Sequence, residues 1–360
     1  MTNKHHISVL ALAAAALLAQ GCSKQPVPES SALPIRFAIP KVDEATKTVT
    51  NASMPSIYNI QETFKVFAAY STSTFNPSDP ESFINYWPAE GLTCSYNYTY
   101  NAWVPSAGYY WPLLGYLSFY AYSPAGGAAP DFSWTNGFTW NNFTVPAAGS
   151  QYDLLYTDLI RDKQSSDYTV IDGNAHDDDP DDEYIYNGVN LKFKHALSLI
   201  QVQACSALGS YSSIKYYVQK VVLHNVYDTG DFTSDTENWT DISNRADYTL
   251  LDLGDQWQVL PGSDQYPVSV HPDVTLMLLP QELDRASDPD FSESVDAYLT
   301  VVYKCNTDDE EHTTTLPLSG SWERGKKHIY KLIFSADIEF QAHISAWDEE
   351  ITHGSYLIVQ

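Results

Sequence analysis

The chain has 360 residues, 44% hydrophobic and 14% aromatic, enough for one large or two ordinary packed domains and inconsistent with general disorder. Nineteen basic against 45 acidic residues give a net charge of −26. That balance excludes nucleic acid as a partner, because phosphates call for basic grooves, and excludes attachment to anionic lipid by charge alone. Four cysteines with no CxxC and no Cys/His cluster at zinc spacing exclude a disulfide framework and a zinc module.

Residues 1–21 read as an export signal. Lys4, His5 and His6 form a short polar head, residues 7–18 are apolar and uncharged, and Ala19, Gln20 and Gly21 precede Cys22. The apolar run falls short of the roughly 20 residues that span a bilayer. The pattern predicts a bacterial lipoprotein signal cut before Cys22, whose sulfur then carries lipid. The alternative is an ordinary secretory signal with an incidental cysteine. Residues 22–31 are polar, with two prolines, and read as a tether.

Residues 33–40 alternate, with Leu33, Ile35, Phe37 and Ile39 on one parity. This predicts a half-buried strand, and its prolines predict an edge position. Residues 41–55 read as a flexible connector. A series of β-like segments follows. Phe64, Val66 and Phe67 lie in 63–70, and Tyr96, Tyr98 and Tyr100 share a parity in 94–104. Residues 109–112 lead into 116–124, where Leu117, Phe119 and Ala121 oppose Tyr116, Ser118, Tyr120 and Tyr122. Residues 152–161 are the best short helix candidate.

Residues 162–183 change character and carry the acidic run 177–183. A calcium loop would use spaced acids and a glycine, which are missing, so a solvated loop at a domain boundary is expected. Strand-like runs resume at 189–204, 218–226, 274–279, 297–304, 328–333 and 338–347, with an acidic turn at 308–311. Cys205 and Cys305 sit in such runs and read as buried small apolar residues. Many short strands and little helix predict an all-β protein of two tandem β-sandwich domains, residues 32–175 and 176–360.

Catalytic signals are weak. His195 lies in a strand-like run with no nucleophile motif in the chain, and reads as a structural, hydrogen-bonded histidine. Acid pairs such as Asp288/Asp290 or Glu282/Asp284 arise by chance among 45 acids. Tyr109, Tyr110, Trp111, Trp134 and Trp140 could stack on sugars, although aromatics at strand spacing more often pack cores. No phosphate-binding glycine loop is present, so no enzyme activity, metal or cofactor is expected.

The stretch Tyr110-Trp111-Pro112 followed by Leu117-Ser118-Phe119-Tyr120-Ala121-Tyr122-Ser123-Pro124 resembles the "YWP … LSFFAYYP" segment of the fimbrillin family. Tyr152-Asp153-Leu154-Leu155-Tyr156 is similar to its "DLLYA" element. Leu191-Lys192-Phe193-Lys194-His195-Ala196-Leu197-Ser198 is similar to its "F-x-HALS" strand, and residues 221–230 to its "L-x-N-x-x-x-x-G" segment. Leu278-Leu279-Pro280-Gln281 resembles "LIPQ", and residues 322–332 and 344–347 resemble the closing "W-x-x-GK-x-Y-x-L … W". Each motif is a few packing residues; their order across most of the chain carries the resemblance.

The resemblance implies two transthyretin-like, Greek-key β-sandwich domains in a fimbrial subunit at the bacterial cell surface. It also implies assembly with other fimbrial subunits by β-strand addition, an N-terminal strand being removed so that the groove accepts a strand from a neighbour. The displaced strand would then hold Leu33, Ile35, Phe37 and Ile39. Family cleavage follows an arginine past the first strand, yet here Arg36 lies inside the strand and the connector offers Lys41 and Lys47. The donor would hold Tyr356, Leu357, Ile358 and Val359, which read equally as an ordinary final edge strand. Other implied partners are the outer membrane, through lipid on Cys22, and a host or glycan ligand. The competing readings are a surface lipoprotein that binds glycan without polymerising, and a fimbrial anchor or tip subunit.

Overall fold

The computed structural model describes residues 29–38, 63–100, 102–168, 188–263, 265, 267–270, 276–283, 291–335, 338–346 and 357–358. Strands dominate, and helix among these residues is confined to a 3₁₀ turn at Ser165–Tyr168. The all-β expectation holds.

The first large sheet runs in the order Val189–Asn190, Phe37–Ala38, Ala102–Pro105, Leu92–Asn97, Phe64–Ser71, Tyr116–Ser123, Leu155–Thr157, Phe193–His195. Its two outermost strands are separated in sequence only by Leu191 and Lys192. The sheet therefore curls until its ends meet, since consecutive Cα atoms are about 3.8 Å apart. It wraps a core of Ile35, Phe37, Phe64, Trp87, Phe119 and Phe193, among others.

Phe64–Ser71 and Tyr116–Ser123 are buried along nearly their whole length. Period-two alternation sends Phe64, Val66, Leu117, Phe119 and Ala121 into the first core. The opposite parity sends Phe67, Tyr120 and Tyr122 into a second core with Phe138 and Trp140. The opposition of residues in 116–122 is as expected, but both faces are covered.

A second sheet is built on the long hairpin Tyr216–Thr233 and Asn238–Asp252. The first half of Tyr216–Thr233 pairs with Tyr298–Cys305, whose other edge carries Glu311–Pro317. Its second half pairs with Gly137–Thr144. A third sheet holds Ser198–Ser206 parallel to Lys326–Phe334, then Ile338–Ala346 and Leu357–Ile358 antiparallel. Sheet membership crosses residue 175 both ways. Gly137–Thr144 joins the second sheet, while Val189–Asn190 and Phe193–His195 close the first.

Several local expectations are corrected. Residues 33–38 are not one strand: Ser30–Pro34 pairs with Tyr110–Pro112, and Phe37–Ala38 belongs to the first sheet. Ser30–Pro34 lies at an edge, paired with Tyr110–Pro112 alone, but Phe37–Ala38 does not, because Phe37 is flanked by Trp103 on one side and Val189 on the other. Residues 94–104 form a hairpin of Leu92–Asn97 and Ala102–Pro105 rather than one strand. Residues 152–161 are not helical but contain the strand Leu155–Thr157 and the start of Ile160–Lys163. The run 189–204 breaks into Val189–Asn190, Phe193–His195 and Ser198–Ser206, which serve two sheets. The hairpin turn near 308–311 is present, between Tyr298–Cys305 and Glu311–Pro317. Cys94, Cys205 and Cys305 are buried free thiols.

Candidate strand-exchange site

In the N-terminal segment 29–38, Ser30–Pro34 pairs with Tyr110–Pro112, and Phe37–Ala38 is laid into the first sheet between strands distant from it in sequence. Alternation puts Leu33, Ile35 and Phe37 on the core side, with Ile35 2% and Phe37 0% exposed and Leu33 packed beside them. Its backbone bonds change partner midway. The Glu29 carbonyl accepts from the Leu113 N–H at 2.8 Å, and the Ile35 N–H donates to the Tyr109 carbonyl at 2.9 Å. Beyond this point the carbonyls of Arg36 and Ala38 accept from the N–H groups of Val189 and Leu191, both at 2.8 Å.

Phe37 fills the centre of the groove. Its ring meets Phe64, Trp87 and Phe119 edge-on, with centroids 6.2, 6.0 and 5.5 Å away. Such pairs contribute about 0.5–1.5 kcal/mol each beyond the area they bury. Gly188 makes room for the backbone, since a Cβ there would lie 2.2 Å from the Arg36 carbonyl carbon and oxygen. Arg36 lies with its guanidinium 3.9 Å from the centre of the Tyr100 ring. Of the expected strand residues the structure thus brings Leu33, Ile35 and Phe37 together. Ile39 lies outside the described residues, as do Cys22, Lys41 and Lys47.

At the other end, Leu357–Ile358 pairs with Ala342 and Gln341 of the same chain, at the edge of the third sheet. Tyr356 and Val359 lie outside the described residues, as does the acidic run 177–183.

His195 and His224 each have a closely bonded carboxylate partner. His195 Nδ1 lies 2.6 Å from Asp153 Oδ2, with the two side chains 0% and 3% exposed, so the pair is sealed from any solute. Arg324 also donates to the His195 carbonyl at 3.0 Å. His224 Nδ1 lies 2.9 Å from Asp247 Oδ2, and its Nε2 lies 2.9 Å from the Thr300 hydroxyl. This order of carboxylate, imidazole and hydroxyl is that of a hydrolase triad. Here, however, the imidazole stacks on Tyr298 at 4.6 Å, and Thr300 stands on the strand Tyr298–Cys305 as a cross-strand partner of Val222. The arrangement braces the sheet surface.

An open cleft of about 410 Å³ is lined by Asp158, Asp167, Lys163 and Lys192 among others, with charges of both signs. Among the described residues no group of three or more His, Cys, Asp or Glu side chains could hold a metal. No helix among them is long and apolar enough to cross a membrane. Of the aromatics considered for sugar stacking, Trp140 is 2% exposed and its Nε1 donates to the Ala128 carbonyl at 2.8 Å, which removes it as a platform. Trp111 is likewise buried. Trp134 is partly buried among Phe75, Phe83 and Phe132.

Trp87, Trp103, Val189 and Gly188 were not foreseen as groove residues. Each is a single packing position with no motif of its own.

A search of curated proteins gives no match. Among solved structures, the chain resembles a fimbrial protein from Bacteroides vulgatus, with TM-score 0.54, 18% identity, and coverage of 87% of this chain and 99% of that one. A candidate cell adhesion protein from Bacteroides ovatus aligns at TM-score 0.47 and 13% identity, over 90% of this chain and 100% of that one. The sequence profile described as fimbrillin-like matches residues 46–347. The chain belongs to the fimbrillin-like family.

Proposed function

We propose that the protein is a structural and adhesive subunit of a cell-surface fimbria, exported as an outer-membrane lipoprotein through Cys22 and assembled by strand exchange. The observation that carries this reading is the seating of Phe37. Its strand lies inside a sheet, between Trp103 and Val189, yet comes from the N-terminal end of the chain. Removing such a segment opens two unpaired strand edges and an apolar hole at once. A strand of matching alternation from another subunit satisfies both. Family membership and the fimbrial protein similar in fold support the same reading.

Maturation then falls in the connector 41–55, at Lys41 or Lys47, rather than at Arg36. The Arg36 carbonyl is bonded to Val189 and its side chain lies on Tyr100, whereas proteolysis favours backbone that is free of such ties. The segment containing Tyr356, Leu357, Ile358 and Val359 is the donor.

The N-terminus of protein taken from the cell surface tests this. A start beyond Lys41 in high-mass oligomers is expected. A chain that keeps acylated Cys22 and forms no polymer refutes the stalk role. That outcome supports the second reading, an anchor or tip subunit, which is favoured by the pairing of Leu357–Ile358 with its own chain.

A further inference from the structure

We propose that the turn at residues 113–115 is a membrane-contact site, resting at the lipid headgroup boundary while the chain is held through Cys22. The inference rests on the lipoprotein reading above and adds a surface to it.

Leu113 and Leu114 are 57% and 79% exposed, and Tyr110 beside them is half-exposed. The turn cannot fold these leucines inward, because its backbone is pinned. The Leu113 N–H is bonded to the Glu29 carbonyl, and the Gly115 carbonyl accepts from Gln164 Nε2 at 3.2 Å. Gly115 itself has φ +81°, and a Cβ there would lie 2.6 Å from the Ser71 carbonyl oxygen and the Tyr70 ring. Residues 109–118 carry no charge in a chain whose net charge is −26. Two adjacent leucines are therefore displayed on a fixed, uncharged tip.

The occupant follows from where the tether ends. Glu29, bonded to this turn, is seven residues beyond Cys22. Fully extended, that length of chain spans at most about 25 Å. Lipid on Cys22 therefore keeps this corner of the protein within about 25 Å of the bilayer, close enough for the turn to reach it. Leucine and tyrosine on a stretch that itself carries no charge suit the headgroup boundary, with Glu29 beside them as the nearest acid along the tether, whereas the acidic surface of the rest of the chain is repelled by anionic lipid. The contact fixes how the Phe37 groove is presented.

The test places an environment-sensitive fluorophore at Leu114→Cys in the acylated chain, in vesicles of phosphatidylethanolamine and phosphatidylglycerol. The native thiols Cys94, Cys205 and Cys305 are buried and do not compete for the label. Tyr211→Cys, at a fully exposed site, is the control. The expected result is a blue shift and several-fold protection from aqueous iodide at 114, with neither at 211. Vesicle-bound protein whose 114 probe is quenched as readily as that at 211 overturns this inference alone. A shift without vesicles that grows with protein concentration assigns the turn to a second copy and also overturns it. Mass spectrometry showing unmodified Cys22 removes the lipoprotein reading and this inference together.

Discussion

Gly188 lies flat against the backbone of Arg36, so close that a Cβ on the glycine would sit 2.2 Å from the Arg36 carbonyl. No rotamer relieves this contact, because the obstructed atoms are main chain. Gly188→Ala is expected to push Phe37–Ala38 out of register with Val189–Asn190, at about 1–3 kcal/mol, the usual range for overpacking. The consequence is local. Hydrogen exchange should accelerate in residues 29–38 and at Val189, while the third sheet keeps its protection. Unchanged exchange in 29–38 would show that the close approach does not hold the strand.

Phe37→Ala removes the ring at the centre of the groove. Large-to-small changes of this kind cost about 3–5 kcal/mol when the site cannot collapse. Here the surrounding rings belong to two strands and a loop that are fixed by other contacts, so a hole remains. The N-terminal segment should become sensitive to protease. If strand exchange is the route of assembly, the variant should also polymerise more readily than wild type, because its own strand competes less well with a donor. Size-exclusion profiles with added matured subunit read this directly; equal polymerisation of both chains speaks against groove competition.

Much of this site was legible because the period of two is a backbone property. The parity of Ile35 and Phe37 gave their burial without knowledge of their partners. The break after Pro34 was not legible, since it depends on Tyr109 and Val189, which are distant in sequence. Residues 152–161 misled for a related reason. Leu155 enters the first core while Leu154 and Tyr156 enter the second, so consecutive apolar residues imitate the spacing of a helix. In 94–104 the alternation of tyrosines runs straight through a turn. Asn97 makes that turn, its side-chain oxygen accepting from the N–H of Thr99 at 2.9 Å. The hydrogen-bonded burial of His195 needed only its strand context, but its partner Asp153 had no signal.

Arg324 ties three parts of the molecule together. It donates to the Tyr156 hydroxyl at 2.8 Å, to the His195 carbonyl, and to the Glu237 carboxylate, which also takes Lys194 at 2.6 Å. Burial opposes ionisation of Glu237, yet Lys194 and Arg324 outweigh it and hold the carboxyl below its usual range. The ion pairs are partly solvated and contribute little alone. The bonds to the carbonyl and hydroxyl bring the expected loss in Arg324→Ala to about 2 kcal/mol. Arg324→Lys should restore little of it, because an ammonium cannot serve three acceptors as a planar fork does. Urea midpoints of the two variants check this; full rescue by lysine would reduce the role to charge.

His328 links stability to pH. It is buried in the strand Lys326–Phe334, and its Nε2 accepts the Glu323 N–H at 3.0 Å. Burial pushes its pKa down to about 4, and the charge of Lys326 acts in the same direction. The hydrogen bond needs the Nε2 lone pair, so protonation also breaks it. In the unfolded chain the imidazole titrates near 6.5. Between the two values the unfolded state binds the extra proton, so this contribution is complete above about pH 6.5 and is lost as pH falls toward 4. By pH 4.5 the loss reaches about 2.5 kcal/mol at 1.36 kcal/mol per unit. Carboxylates in so acidic a chain add their own pH dependence, which a difference between two chains removes. His328→Gln keeps an acceptor for Glu323 but cannot titrate. Urea unfolding at pH 7.5 and 4.5 should show the wild type losing about 2.5 kcal/mol more than this variant. Equal losses in both would mean that His328 is free to protonate in the folded protein.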